Sequence, residues 1–145
     1  MPHLAHITIV VRDYDEALAF YVGKLGFDLV EDIAQPEQDR RPSDPAGIAP
    51  KRWVVIRPPG AGPHATTILL ARAATEHQAS RIGDQTGGRV GFFLHTDDFG
   101  RDHALFTAAG VEWVRPPVDQ PYGRVAVFAD LYGNLWDLVQ PTLSP

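Results

Sequence analysis

The chain contains no cysteine. That excludes disulfides, thiolate metal sites and cysteine nucleophiles, and it agrees with a reducing, cytoplasmic setting. Basic runs are missing too: 13 Lys and Arg stand against 18 Asp and Glu, a formal net charge of −5. Nucleic acid and anionic membrane surfaces are therefore not expected partners. No apolar stretch approaches the roughly 20 residues that a membrane-spanning helix needs. The opening MPHLAHITIVV lacks a basic segment and a cleavage site, so no signal peptide is expected. Neither a Gly-rich phosphate loop before a helix, nor a nucleophile elbow, nor a serine triad is found.

What is present is ordinary core material. Hydrophobic residues make up 44% of 145 residues, enough for a core without staples, and 13 Pro with 13 Gly favour many turns. HITIVV (6–11) is β-branched and reads as a strand. Asp13 followed by Glu16 makes a capping box, in which side chains satisfy backbone N–H groups at a helix start. Ala17, Phe20, Tyr21 and Leu25 keep helical spacing, and Gly26 suits the residue just past the helix end. Strands are expected over 27–33, 51–58 and 65–72. Between the first two lies AQPEQDRRPSDPAGIAP (34–50), polar and Pro-rich, too long for an ordinary connection and a candidate lid.

A short amphipathic piece (74–82) and a GDQTGG turn lead to a second series. Strand 89–96, a helix at 98–109 capped by Asp98 and ended by Gly110, and strands 111–117, 123–130 and 135–140 follow. The order β-α-β-β-β thus occurs twice, with matching helix caps. The chain reads as one α+β domain of two tandem βαβββ modules, 1–73 and 89–145, joined by a linker at 74–88. One helix covers one face of each small sheet. The other face needs a partner or encloses a cavity.

The opening H-I-T-I-V-V-R-D, the A-x-x-F-Y of the first helix, the repeated βαβββ order and the closing F-A-D-L-Y-G-N-L-W-D-L-V-Q resemble the vicinal oxygen chelate superfamily. That group includes glyoxalase I, bleomycin resistance proteins and extradiol dioxygenases. The resemblance covers nearly the whole chain apart from 34–50. It implies curved mixed sheets around a cup-shaped cavity and a homodimer. In members that use a metal, it implies four inward ligands, from the first and last strand of each module. On this chain those positions are His6, Leu69, Gly91 and Asp137. Only His6 and Asp137 carry ligating side chains, and Asp137 is shorter than the glutamate usual there.

Strand alternation then fills the cup. Thr8 shares a face with His6, Thr67 with Leu69, Phe93 and His95 with Gly91, and Leu135 with Asp137. The lining is mostly apolar with a few polar points, as in small-molecule pockets. Two readings of His6 and Asp137 stay open. As metal ligands they would hold Ni, Zn, Mn or Fe and support a lyase or dioxygenase acting on an oxygenated substrate. Without a metal they serve as an acid–base pair or line the pocket of a ligand-binding protein. His95 lies about 13 Å along its strand from Gly91, so sharing a metal with His6 and Asp137 needs an offset site. Trp136, opposite in parity to Asp137, is expected beneath a helix, whereas alternation leaves Trp113 open to either face. Binding of a small organic molecule without the full metal site is the expected function, and metal-dependent enzymes of the same fold are the alternative.

Overall fold

The computed structural model describes residues 1–35 and 50–142. The candidate lid therefore lies, apart from its ends, outside the described residues. The elements run in chain order as β1 (His6–Val11), α1 (Tyr14–Tyr21), β2 (Asp28–Ala34), β3 (Arg52–Arg57), β4 (Thr67–Arg72), α2 (Glu76–Ala79), β5 (Val90–His95), α3 (Phe99–Ala108), β6 (Glu112–Gln120), β7 (Gly123–Ala129) and β8 (Leu135–Pro141). They fall into two compact units, Met1–Ile82 and Gly83–Pro145. Each unit holds one four-stranded mixed sheet, ordered β1-β4-β3-β2 in the first and β5-β8-β7-β6 in the second. In each, the first strand pairs parallel with the last, and the other pairings are antiparallel. This is the repeated βαβββ arrangement that the sequence predicts.

The helices start where their caps place them. Asp13 accepts the Glu16 N–H at 2.8 Å, and Asp98 accepts the Arg101 N–H at 3.0 Å. The Glu16 carboxylate also accepts two bonds from Arg12. Gly26 and Gly110 take φ of +75° and +86°, the left-handed turn that ends a helix without a Cβ penalty.

Alternation puts one face of each sheet under its helix. In the first unit Ile9, Val11, Val54, Ile56, Ile68 and Leu70 are buried together with Tyr14, Ala17, Phe20 and Tyr21 of α1. In the second, Phe92 stacks on Trp136, and Phe128 meets Phe106 of α3 edge-on. Trp113 joins this layer, stacked on His103 with ring centroids 4.3 Å apart. The helical side thus takes both tryptophans of the unit.

Strand β6 runs further than the 111–117 segment read from the sequence, through Pro116 and Pro117 to Gln120. It is an edge strand whose register slips between Arg115 and Val118, so the missing proline N–H groups break no ladder. Among the described residues no helix is long and apolar enough to cross a membrane.

Candidate functional site

The face opposite the helix carries the candidate site residues in each unit. In the first unit it presents His6 and Thr8 of β1, Thr67 and Leu69 of β4, and Trp53, Val55 and Arg57 of β3. The register pairs His6 with Thr67, Thr8 with Leu69, and Leu69 with Val55. His6 Nδ1 lies 2.5 Å from Thr67 Oγ1, and the Thr67 hydroxyl donates to the Ala5 carbonyl at 3.0 Å. The hydroxyl has one proton. With that proton on Ala5, the imidazole donates from Nδ1, and its Nε2 keeps a lone pair. The His6 ring also meets Trp53, nearly perpendicular, with centroids 5.6 Å apart. Trp53 is 42% exposed although it is a large aromatic in a central strand.

In the second unit one row crosses the whole sheet. Phe93 pairs with Asp137, Asp137 with Val127, and Val127 with Arg115. Phe93 is 65% exposed, whereas Val127 and Val139 beside Asp137 are buried. Burial pushes the Asp137 carboxyl above its ordinary value, and the positive charge of Arg115 pulls partly against that rise. The next row holds His95 opposite Val139, and the preceding one holds Val90 opposite Leu135. The register shifts between Val90 and Phe92, leaving Gly91 as the extra residue of a bulge. A Cβ at Gly91 would stand 2.8 Å from the Thr86 methyl.

The turn that delivers Asp137 is pinned from below. Buried Asp130 accepts N–H bonds from Tyr132 and Asn134 at 2.9 Å and the Asn134 side-chain amide at 2.8 Å. This fixes the β7–β8 hairpin and so the face on which Asp137 stands.

The sequence-predicted residues thus gather in two groups: His6, Thr8, Thr67 and Leu69 in the first unit, and Phe93, His95, Leu135 and Asp137, with Gly91 at the bulge, in the second. Sequence reasoning passed over Trp53, Arg57 and Arg115. Their parity was readable, but the face it refers to emerges only with the β3–β4 and β6–β7 registers. The four positions implied to hold a divalent metal do not fit one. Leu69 offers hydrocarbon and Gly91 no side chain, leaving one imidazole and one carboxylate. Among the described residues no three His, Asp or Glu side chains gather as a metal-binding group. A catalytic metal site ordinarily has three or more protein ligands.

Comparison with known proteins agrees with the fold. A protein of Shewanella frigidimarina (strain NCIMB 400) is 54% identical over 137 residues, covering 94% of this chain and 92% of its own. The crystal structure of UcmS2 superposes with a TM-score of 0.75 at 29% identity, over 96% of this chain and 98% of that one. That of TnmS3, an antibiotic binding protein from Streptomyces sp. CB03234, does so with a TM-score of 0.69 at 30% identity, over 98% of both chains. Residues 3–138 match the Glyoxalase/Bleomycin resistance protein/Dioxygenase superfamily, and the chain belongs to it.

Proposed function

We propose that this protein binds a small, largely aromatic organic molecule on the open faces of its sheets and holds no catalytic metal there. The observation that carries this reading is the replacement of two of the four ligand positions by Leu69 and Gly91 on faces that expose Trp53 and Phe93. Exposed aromatic rings in a mostly apolar surface with a few polar groups match what a small-molecule site needs. The likeness to an antibiotic binding protein supports a small organic ligand. By the same family resemblance the protein acts in the cytoplasm as a homodimer, which sedimentation at micromolar concentration checks.

The test is calorimetric. Chelator-treated protein is titrated with Ni, Zn, Mn and Fe(II), and then with a panel of aromatic antibiotics. We expect saturable binding of at least one aromatic compound and no tight one-site uptake of metal. Tight metal binding lost in both His6→Ala and Asp137→Ala would overturn the reading and favour a metal-dependent lyase or dioxygenase.

A further inference from the structure

His6 has one nitrogen committed and one to spare. Thr67 Oγ1 stands 3.0 Å from the Ala5 carbonyl and 2.5 Å from His6 Nδ1; with its one proton on the carbonyl, it accepts from His6 Nδ1. In that arrangement Nδ1 carries the proton and Nε2 is the acceptor. Among the described residues no hydrogen bond engages Nε2, and His6 is exposed. The ring that His6 touches is that of Trp53, a residue 42% exposed on the same face. An aromatic surface and a fixed lone pair therefore stand side by side, within one unit and on strands joined through β4.

We infer that His6 is a specificity-determining residue: its Nε2 accepts a hydrogen bond from a hydroxyl or N–H on the rim of an aromatic ligand that packs against Trp53. This rests on the proposed reading of the chain as a small-molecule binder and names the chemistry of its ligand. The site selects phenol-like or aryl-amine molecules over their alkylated counterparts, because an ether oxygen brings only lone pairs to a lone pair. Thr67 is a positioning residue. It touches no ligand and acts by keeping the proton on Nδ1. Arg57 stands two residues from Val55 on the same face, and among the described residues its buried Nε has no hydrogen-bond partner. It adds a donor for a second oxygen on the same molecule.

The experiment uses a matched pair of probes, 2-naphthol and 2-methoxynaphthalene, titrated by calorimetry into the full chain. A hydrogen bond of ordinary net strength predicts tighter binding of the naphthol by about five- to tenfold. His6→Phe, which keeps an aromatic ring against Trp53, removes the preference. Thr67→Val lowers the preference while His6 remains. Nitrogen-15 NMR of the imidazole gives a second reading that needs no ligand: Nδ1 protonated and Nε2 bare in the wild type, and mixed tautomers in Thr67→Val. Equal affinity for the two probes overturns the inference and leaves the proposed function standing. If neither probe binds, the inference falls while the antibiotic panel still decides the proposed function, and an Nε2–H tautomer in the NMR spectrum overturns the role of His6 independently.

Discussion

Asp137 shows how a single residue reports its surroundings. Its strand and face followed from alternation in LWDLVQ, but its energetics depend on neighbours that lie far off in sequence. Val127 and Val139 strip water from it, while Arg115, at the end of the row, supplies the opposing charge. Its pKa is raised on folding, so the folded state holds the Asp137 proton more tightly than the unfolded chain does. The associated stability is present below the ordinary aspartate value of 3.8 and is lost as pH rises through the folded value. Asp137→Asn should therefore raise the melting temperature at pH 7, with the gain shrinking as pH falls towards 3.8. Thermal melts across that range check the sign. Removing the opposing charge with Arg115→Gln should move the Asp137 carboxyl further upward, which carbon-13 NMR of the side chain measures. Glu112 and His95 stand on the same face and are titrated alongside it.

At the scale of the element, Gly91 decides what β5 can carry. The bulge presses its backbone towards Thr86, whose β-branched side chain is stiff and whose hydroxyl is bound to the Arg89 carbonyl. Gly91→Ala should cost about 1–3 kcal/mol by overpacking. Thr86→Ser removes the methyl and keeps the hydroxyl, so the double variant should recover much of that loss in a chemical denaturation cycle. The same crowding implies that Gly91→His does not by itself create a metal site. In the other unit Arg52 ties three elements together. It forms ion pairs with Asp15 of α1 at 2.9 Å and Asp32 of β2 at 2.6 Å, and it lies over the Tyr14 ring. The Arg52 hydrogen bond holds the Asp32 carboxyl below its usual range. Both acids are in contact with solvent, so Arg52→Ala should cost only about 1 kcal/mol, read from denaturant midpoints at low salt.

For the whole molecule, the repeat was legible because its punctuation was. Asp13 and Asp98 start the helices, Gly26 and Gly110 end them, and β-branched runs mark the strands between. The site was half legible. His6, Leu69, Gly91 and Asp137 were named from the family resemblance, carried onto the first and last strand of each module. The bulge at Gly91 and the opposition of Arg115 to Asp137 were not, because register is set by pairing between strands rather than along one. Proline made β6 look short, since edge position is a property of the sheet and not of the strand. Trp113 was ambiguous by parity alone, and its stacking on His103 resolved it.

On the proposed reading, the open faces take an aromatic molecule without help from a metal. The most direct measurement is calorimetric titration of chelator-treated protein with 2-naphthol, repeated with Zn or Ni added. Saturable binding whose Kd is the same with and without metal is the predicted result. Binding that appears only after the metal is added would contradict the account.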